Sequence, residues 1–555
     1  MIITEAVAHP HDTHPEHDLV VIGGGMSGIA QVYSAVQRGL SVLALEQGSG
    51  VGGTWYWNRY PGARCDTESI DYSFSFSPEL QQEWTWSERY PTQGEIEQYL
   101  NHVVDRFDLR GHFQFDTTVA AMDWDEVALR WVITTTQGEQ VWARNVTLAT
   151  GMLHIPTLPR IPGVDTFEGR SFHTRNWPTD LDFTGKKVAI VGTGSSGIQT
   201  VAPLSHVVED LYVFQRTANY IVPANQGPIA DDEMAEIKRT YPERRKALRA
   251  SNLGLSLTST GRSALEDTPE QRAKEYSARW GLGGFHILAT YVDLWTNQAA
   301  NDTACEFVVE RMVEQVEDPE IASLLKPPPS VSLGIKRVGI DTDYYSSFNK
   351  PNVHLVDAAA SPITEITPTG IRTSDGDYDV DIIVYATGFD GVTGSIRNIA
   401  ITGRDGRTVA DEWAEGPSTW YGMMLNGFPN LYMICGPGGP NTAANVPALA
   451  ELESEWIVDV ITTTQVDGVR AVDPLAEEQV AWTARVEETA QMTLFPSHDT
   501  WYTGRNVPGK PKIFPTFTLG TATYFDIIEG LVPEGLTGLE RLSADTAELP
   551  AERTA

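Results

Sequence analysis

Cysteine is scarce in this sequence of 555 residues. Its three cysteines, Cys65, Cys305 and Cys435, form no close pair and no spacing typical of a metal site. The sequence therefore predicts neither a disulfide framework nor a zinc centre, and we expect a reducing compartment.

Basic residues are also few: 40 lysines and arginines face 74 acidic residues, for a formal net charge of -34. Nucleic acids and anionic membranes attract basic patches, so this balance argues against both as partners. The sequence lacks an apolar run long enough to cross a bilayer, and no basic segment followed by an apolar stretch opens it. We expect a soluble, cytoplasmic protein that is a monomer or a weak homo-oligomer.

Four histidines, His9, His11, His14 and His17, crowd the first residues. They could hold a metal, but nothing around them is apolar enough to fix a geometry. We interpret residues 1–17 as a flexible tail without a metal site.

The first nucleotide-binding pattern begins with the apolar run 19–22. It leads directly into Gly23-x-Gly25-x-x-Gly28 and a helical stretch, and a second apolar run ends at Glu46. This order predicts a Rossmann unit, with a pyrophosphate on the helix N-terminus and Glu46 on an adenosine ribose.

A second such pattern follows at residues 187–197, where K-V-A-I-V leads into Gly192-x-Gly194-x-x-Gly197. Here Gln215 and Arg216 stand where the first unit has its acid. A guanidinium binds a 2′-phosphate that a carboxylate would repel. We therefore expect FAD at the first site and NADPH at the second, with Lys336 as a further phosphate contact.

These patterns predict an α/β fold with two Rossmann-like dinucleotide-binding domains and a helical insertion. Each half has its own A-T-G motif, at 149–151 and 386–388, so the FAD domain should be discontinuous. Helices are expected at 231–249, 307–316 and 449–463, and Thr268-Pro269 should begin another. The expected division is 1–17 as N-terminal tail, 18–151 and 381–540 as FAD-binding domain, 152–222 and 327–380 as NADP-binding domain, 223–326 as helical insertion and 541–555 as C-terminal tail.

Two further stretches carry a family resemblance. The linker between the nucleotide sites contains Phe167-x-Gly169-x-x-x-His173-x-x-x-Trp177-Pro178, and an aromatic, glycine-rich loop runs from Gly52 through Tyr60-Pro61-Gly62 to Asp66. Both resemble fingerprints of the type I Baeyer–Villiger monooxygenases, and the resemblance extends over residues 18–535. The stretches 438–440 and 492–496 are similar to the cyclohexanone monooxygenase branch, whereas Arg505 departs from the small residue usual in the family.

The resemblance implies an NADPH-dependent flavin monooxygenase that converts ketones, in particular cyclic ketones, and O2 into lactones or esters through a C4a-peroxyflavin. Arg337 resembles the catalytic arginine of the family, and Asp66 the carboxylate that orients it. A permanently charged guanidinium suits the anions that this chemistry generates. His173 is expected to couple the domains rather than to act as an acid or a base.

The same resemblance implies two sets of cofactor contacts. Those to FAD are Gly23, Gly25, Gly28, Glu46, Gly53, Thr54, Trp55, Asp66, Tyr72, Val119 and Val446. Those to NADP are Gly192, Thr193, Gly194, Ser195, Ser196, Gly197, Gln199, Thr200, Arg216, Thr217, Lys336, Arg337 and Trp501.

Four alternatives stay open at this point. A related flavin monooxygenase could oxygenate nitrogen or sulfur, and a non-catalytic flavoprotein could sense NADPH. A disulfide oxidoreductase is disfavoured because no redox cysteine pair is present. By itself, the pair of Arg337 and Asp66 could also be a structural salt bridge between domains.

Overall fold

The computed structural model describes residues 16–543. The N-terminal histidines His9, His11 and His14 lie outside the described residues. His17 belongs to the first strand, which begins at Glu16, inside the stretch expected to be a tail. At the other end, the last strand reaches Leu542, two residues into the expected C-terminal tail.

The described residues form strands β1 to β20, numbered along the chain. They are β1 (Glu16–Ile22), β2 (Val42–Leu45), β3 (Phe113–Gln114), β4 (Val119–Asp125), β5 (Arg130–Thr135), β6 (Gln140–Leu148), β7 (Arg170–His173), β8 (Lys187–Val191), β9 (Asp210–Gln215), β10 (Ile221–Pro223), β11 (Gly339–Asp341), β12 (Val353–Asp357), β13 (Ile363–Thr367), β14 (Gly370–Thr373), β15 (Asp377–Asp379), β16 (Ile382–Tyr385), β17 (Ala400–Thr402), β18 (Leu431–Met433), β19 (Ala471–Pro474) and β20 (Leu539–Leu542).

The α-helices of the same part of the chain are α1 (Met26–Gln37), α2 (Thr54–Trp57), α3 (Pro78–Glu83), α4 (Gln93–Arg106), α5 (Ser195–Leu204), α6 (Asp231–Arg249), α7 (Pro269–Leu282), α8 (Gln298–Met312), α9 (Pro319–Leu324), α10 (Tyr344–Ser347), α11 (Gly394–Arg397), α12 (Val409–Glu412), α13 (Val446–Val466), α14 (Ala476–Gln491) and α15 (Thr521–Leu531). No helix among residues 16–543 is both long enough and apolar enough to span a membrane.

The first sheet has the strand order β17-β4-β5-β6-β1-β2-β3, and β18 pairs with the end of β6. Its centre is parallel: Leu19 of β1 lies opposite Val42 of β2 and Asn145 of β6. The apolar run of β1 is fully buried at Leu19, Val20 and Val21. Leu19 and Val21 share a core with the helix α1, whereas Val20 lies in a second core with residues of β4 and β5.

The helix after the first glycine turn, α1, packs against the long helix α13 from the last third of the chain. Ile29 and Val32 of α1 share a buried core with Leu449 and Ile457 of α13. Burying such side chains contributes about 1.5–3 kcal/mol each. The C-terminal third thus completes the first sheet's domain.

The second sheet is entirely parallel, in the order β12-β9-β8-β16-β7. The linker fingerprint supplies its edge strand, in which His173 lies opposite Tyr385. The strand β16 pairs within this second sheet, although the sequence-based division assigned residues from 381 onward to the first domain. The chain rejoins the first sheet at β17.

Between residues 223 and 326 the chain is mainly helical, with α6, α7, α8 and α9. The predicted start of a helix at Thr268-Pro269 is confirmed. The Thr268 side chain accepts from the Gln271 N–H, and the Gln271 side chain accepts from the Thr268 N–H, which satisfies two otherwise free donors. Phe285 lies in the short helical turn just after α7.

Candidate functional site

The first glycine turn packs directly against the end of β6. Gly23 has φ +113°, and a Cβ there would lie 2.5 Å from the Ala149 carbonyl oxygen. A Cβ on Gly28 would lie 1.9 Å from the Gly23 carbonyl oxygen, so glycine is required at both positions. The first turn of α1 contains no acidic residue and no side-chain cap, which leaves its N–H groups free for a pyrophosphate.

Glu46 lies at the end of β2, next to this turn. Its two carboxylate oxygens accept hydrogen bonds from the backbone N–H groups of Gly24 and Gly48, each at 2.6 Å. Burial raises the pKa of Glu46, while those N–H donors and the charge of Arg175 act in the opposite direction. The carboxylate therefore holds two turns in place beside the expected adenosine position.

The aromatic loop 52–66 meets the first turn where Gly53 approaches Gly25. A Cβ on Gly53 would lie 2.7 Å from the Gly25 Cα, so the two backbones are as close as glycine allows. Behind this contact, Trp55 Nε1 donates to the Tyr72 hydroxyl at 3.1 Å, and the two rings meet edge to face. The glycine turn, the free helix N-terminus and the close loop together fit a bound FAD.

Three other expected FAD contacts differ in their exposure. Thr54 is exposed at the start of α2, Val119 is buried in the core beneath the first sheet, and Val446 is half-buried at the start of α13. Their contacts with FAD stay predictions.

The loop 52–66 also touches the second nucleotide unit, through Gln199 of α5. The Tyr60 hydroxyl donates to Gln199 Oε1 at 2.8 Å, and Gln199 Nε2 donates to the Arg64 carbonyl at 3.0 Å. A Cβ on Gly62 would lie 2.2 Å from the Gln199 carbonyl oxygen. Gln199, expected to contact NADP, thus uses both side-chain polar atoms to join the two units.

The second glycine turn repeats the first. Gly192 has φ +111°, and a Cβ there would lie 2.5 Å from the Ala386 carbonyl oxygen. This is the same distance as that between a Cβ on Gly23 and the Ala149 carbonyl oxygen. A Cβ on Gly197 would lie 2.1 Å from the Gly192 carbonyl oxygen, whereas one on Gly194 would meet nothing within 4 Å. The space above Gly194 and the uncapped N-terminus of α5 fit a second pyrophosphate.

The hydroxyls of this turn and helix bond mainly to backbone. Thr193 Oγ1 donates to the Thr217 carbonyl at 3.4 Å, and Thr200 Oγ1 donates to the Ser196 carbonyl at 2.6 Å. Ser195 is the first residue of α5. These bonds place Thr217 beside the turn, at the end of β9.

Arg216, which follows β9, and Lys336 are two cations close enough for their charges to interact. Burial lowers the pKa of Lys336, and the positive charge of Arg216 lowers it further. Within residues 16–543 no carboxylate forms a salt bridge with either side chain. Gln215, which stands in the place of the acid, is neutral and does not balance their charge. Its Nε2 donates to the Leu324 carbonyl at 2.8 Å. A cation pair without a carboxylate fits the 2′-phosphate of NADP.

Arg337 and Asp66 form the bidentate pair expected from the sequence. Arg337 Nε donates to Asp66 Oδ2 at 2.8 Å, and Nη2 donates to Oδ1 at 2.6 Å. Burial lowers the pKa of Arg337, but the Asp66 carboxylate outweighs burial and raises it above the ordinary arginine value. The Phe285 ring covers the guanidinium, with 4.6 Å between Cζ and the ring centroid. A positive charge is thereby held permanently at this point.

The linker histidine, His173, is buried and neutral. Burial lowers its pKa to about 4, with a smaller lowering from Arg175 and an opposing effect of the Gly388 carbonyl. Its Nδ1 accepts from the Arg175 N–H at 3.1 Å, so its Nε2–H donates to the Gly388 carbonyl at 3.0 Å. This geometry suits a connection between the linker and the second A-T-G motif, because both ring nitrogens are engaged in hydrogen bonds to the backbone.

The other fingerprint residues shape the edge of the second sheet. A Cβ on Gly169 would lie 2.4 Å from the Asp381 carbonyl oxygen and 2.5 Å from the Phe167 ring. Trp177 stacks on Phe183, with 5.0 Å between ring centroids, and Pro178 follows it half-buried. The fingerprint is therefore largely a packing pattern.

Sequence reasoning missed two residues of the site, Phe285 and Arg175. Phe285 gave no signal because it lies in the helical insertion, far from every motif. Arg175 lies inside the fingerprint and stacks on the Trp57 ring at 4.2 Å, where its Nη2 bonds to His154 Nε2 at 3.0 Å. Only its position between His173 and Trp177 could have pointed to it.

Trp501 and its neighbour Tyr502 lie on the loop after α14. Their ring centroids are 4.2 Å apart, and Tyr502 is buried against Phe495 and Phe514. Arg505, the departure from the family pattern, is 47% exposed and lies 3.8 Å from Asp499. Its charge is therefore directed to a surface carboxylate.

Comparison with known proteins agrees with this geometry. The family described as flavin-binding monooxygenase-like matches residues 16–232. A Baeyer–Villiger monooxygenase of Pseudooceanicola batsensis is 39% identical over 95% of this chain and 96% of its own. Cyclohexanone 1,2-monooxygenase of Acinetobacter sp is 37% identical (92% and 94%), and phenazine N-monooxygenase PhzNO1 of Lysobacter antibioticus is 38% identical (91% and 94%).

Solved structures give the same result. An oxidized steroid monooxygenase bound to NADP has a TM-score of 0.91 and 44% identity, over 95% of this chain and all of that one. OTEMO in complex with FAD and NADP also has a TM-score of 0.91, at 35% identity over 96% of this chain and all of that one. With two Rossmann-like units that fit FAD and NADP, this chain belongs to the Baeyer–Villiger monooxygenases, the FAD- and NADPH-dependent flavoproteins that oxygenate ketones.

Proposed function

We propose that this monooxygenase converts cyclic ketones into lactones, with Arg337 as the cation at the reacting oxygen and Asp66 as the residue that orients it. The bidentate contact between the two is the observation that carries the proposal. When bound, FAD supplies the oxygen activation, after reduction by NADPH. What the protein itself contributes is positioned charge and a sheltered site.

Arg337 has the chemistry that this role needs. A guanidinium stays charged at every working pH and has five donors in a fixed plane. Asp66 occupies the Nε and Nη2 edge, so the Nη1 side is left for other partners. Oxygen insertion places negative charge on the attacking oxygen and then on the former carbonyl oxygen. A preoriented cation stabilises both without having to reorganise, and loss of such a contact commonly costs about 10²–10³-fold in rate.

Asp66 makes a buried cation tolerable. An arginine taken from water without a partner is costly, and a carboxylate at hydrogen-bonding distance offsets much of that cost. Its two oxygens also fix the plane of the guanidinium, because both bonds must be made together. Asp66 is thus proposed as a positioning residue for Arg337.

The surroundings favour an apolar carbonyl compound. Phe285 covers the guanidinium, and Trp501 and Tyr502 bring two more rings to the region. A cleft of about 270 Å³, its open mouth included, lies beside Asp66. Phe285, Leu255, Leu257 and Tyr90 form the apolar part of its lining, and the rest is polar: Thr67, Glu68, Asp71, Ser256 and His286. The aromatic and leucine side chains on this lining offer an apolar surface to a ring-sized hydrocarbon. The cyclohexanone and steroid monooxygenases among the relatives support cyclic ketones as the substrate class.

A product screen tests the proposal. Purified FAD-loaded protein, NADPH and air are combined with cyclic, linear, aromatic and terpenoid ketones, and products are identified by gas chromatography with mass detection. We expect lactones from at least some cyclic ketones, in amounts that match the NADPH consumed. If no carbonyl compound yields an ester or a lactone while NADPH is oxidised, the proposal is wrong.

Nitrogen oxygenation is the second candidate, favoured by the 38% identity to a phenazine N-monooxygenase. A phenazine and a thioether in the same screen separate the two reactions. N-oxide or sulfoxide as sole product would move the assignment to that candidate. Arg337→Ala distinguishes them further, since only attack on a carbonyl builds an oxyanion adduct.

For the domains we propose that FAD binds to the segments 18–151 and 381–540 and NADP to the segments 152–222 and 327–380, except that β16, which pairs with β7 and β8, belongs to the NADP-binding part. The glycine turns, which stand at the ends of β1 and β8, support this division. We further propose a cytoplasmic monomer or weak homo-oligomer, which sedimentation of the FAD-loaded protein would test.

A further inference from the structure

A short segment after the second A-T-G motif, residues 388–391, joins three parts of the molecule. His173 of the linker donates to the Gly388 carbonyl. The Asp390 N–H donates to the Ile155 carbonyl at 2.8 Å, which ties the segment to the chain after the first A-T-G motif. The third part is the loop from Trp501 to Ile513, which we call the Trp501 loop.

The Trp501 loop is attached to this segment through Lys510 and Asn506. Lys510 Nζ donates to Asp390 Oδ1 at 2.5 Å and to the Gly391 carbonyl at 2.7 Å. Asn506 Nδ2 donates to the Phe389 carbonyl at 2.7 Å. Three consecutive residues of the segment therefore receive hydrogen bonds from one loop.

The ion pair of Lys510 is largely enclosed. Its side chain is 12% exposed and that of Asp390 is 28% exposed. Another lysine of the same loop, Lys512, is 37% exposed and pairs with Asp499, which is 63% exposed. Exposed pairs contribute about 0–1 kcal/mol, whereas removing one partner of an enclosed pair is more costly. Lys510 and Lys512 thus allow an enclosed ion pair to be compared with an exposed one in the same loop.

Gly391 receives the Trp501 ring directly. A Cβ at this position would lie 2.8 Å from Cε3 of the indole and 3.3 Å from Cζ3. Its φ is not in the left-handed region, so the space for the ring is what requires glycine here. The segment that holds Lys510 is therefore also the surface on which Trp501 rests.

The loop reaches Arg337 through Tyr502. The Tyr502 side chain is 5% exposed and shares a buried cluster with Ile335, Phe495 and Phe514. Its phenol interacts with the Arg337 guanidinium. Displacement of the loop would thus alter the surroundings of Arg337 as well as the position of Trp501.

We propose that Lys510 and Asp390 are positioning residues, which hold Trp501 against Gly391 and Tyr502 against Arg337. The ion pair fixes the far end of the Trp501 loop, and Gly391 receives its near end. This inference deepens the proposed function, because the loop matters only when nicotinamide and ketone meet beside Arg337. Its first test does not depend on that function.

The first test measures loop opening by limited proteolysis of the FAD-loaded protein. Trypsin can cleave after Arg505, which is exposed, whereas Pro511 protects the bond after Lys510. Lys510→Met consequently removes the anchor without removing a cleavage site. The rate of cleavage after Arg505 is measured by mass spectrometry. We expect this rate to be about tenfold higher in Lys510→Met than in the wild type, because opening of the loop no longer breaks an enclosed ion pair. Lys512→Met, in the same loop, should leave that rate at the wild-type value.

The second test measures coupling, as moles of oxygenated product per mole of NADPH consumed. In Lys510→Met and Asp390→Asn we expect coupling to fall several-fold, with the missing electrons recovered as hydrogen peroxide. Gly391→Ala should act in the same direction, since its methyl group displaces Trp501 and leaves the ion pair intact. Lys512→Met should couple as the wild type does. FAD content and melting temperature identify any variant that has failed to fold.

The outcomes separate the two proposals. Unchanged proteolysis and unchanged coupling in folded Lys510→Met would overturn the assignment of Lys510 and Asp390. Faster proteolysis with wild-type coupling would also overturn it, since the anchor would then be structural only. If the wild type forms no oxygenated product from any ketone, the proposed function fails, and the proteolysis experiment still decides whether Lys510 anchors the loop.

Discussion

Arg337 donates two parallel hydrogen bonds to the two oxygens of Asp66, although 271 positions separate the residues in the chain. Arg337 belongs to the part of the chain that follows the helical insertion, and Asp66 belongs to the aromatic loop of the first nucleotide unit. The pair therefore connects the two units at the point where oxygen chemistry is proposed.

Arg337→Ala is expected to oxidise NADPH but to form no ester or lactone. The cation is proposed to act at the oxygen-transfer step, so its loss should lower product formation by about 10²-fold or more and divert electrons to hydrogen peroxide. Product and peroxide are quantified against NADPH consumed. Arg372→Ala, in an exposed hairpin, serves as control. Wild-type ester yield from Arg337→Ala would remove Arg337 from the mechanism.

Asp66→Asn is expected to lower kcat by about tenfold and to lower the melting temperature. An amide can accept one bond from Arg337 but cannot balance its charge, and one bond does not fix the guanidinium plane. The measurements are steady-state kinetics on a ketone substrate and thermal unfolding followed by flavin fluorescence. Wild-type kcat together with reduced stability would assign the pair a structural role alone.

Arg216→Ala should reduce the preference for NADPH over NADH by about 10–100-fold. A charge-assisted hydrogen bond to a phosphate contributes about 1.5–3 kcal/mol, and NADH has no 2′-phosphate to lose. kcat/KM is measured for both cofactors in both proteins. The use of NADH should change little in the variant, since the pyrophosphate contacts remain. Equal use of the two cofactors by the unaltered enzyme would contradict the selectivity argument.

Glu453→Gln should reduce the loss of folding stability at high pH. Burial raises the pKa of Glu453 to about 8, although Cys435 N–H and the Tyr524 hydroxyl donate to its carboxylate. Between its ordinary value and about 8 the folded protein keeps a proton that the unfolded chain releases, so stability falls as pH rises through this range.

The variant has no such proton to lose. Its melting temperature relative to that of the wild type should therefore rise from pH 5 to pH 8 and then level off. Asp473 and Glu451, whose pKa values burial also raises, are present in both proteins and cancel in the difference. A difference that is constant with pH would show that Glu453 is ionised in the folded protein.

Helix bounds were predicted well where neighbouring residues in the sequence mark the ends of the helix. The helix expected at 231–249 is α6 with the same bounds, because three acidic residues begin it and basic residues end it. The helix expected at 307–316 instead runs from Gln298 to Met312. Its start was missed because the Asn297 side chain, which accepts from the N–H groups of Ala299 and Ala300, was not recognised as a cap.

The linker shows where local patterns stop being informative. From the sequence it was a fingerprint between two nucleotide sites, but in the structure Arg170–His173 is an edge strand of the second sheet. Strand pairing depends on a partner, and the partner β16 comes some 200 residues later. The role of His173 could be expected, whereas its bond to Gly388 could not.

By itself, the sequence determined the two nucleotide-binding units and the family, since these depend on residue types at short, regular spacings. Only the tertiary structure decided that Phe285 covers Arg337, that Gln199 joins the two units and that Lys510 holds the Trp501 loop on Asp390. Each of these contacts joins residues that are far apart in the chain. Such contacts depend on the path of the whole backbone, which no local pattern specifies.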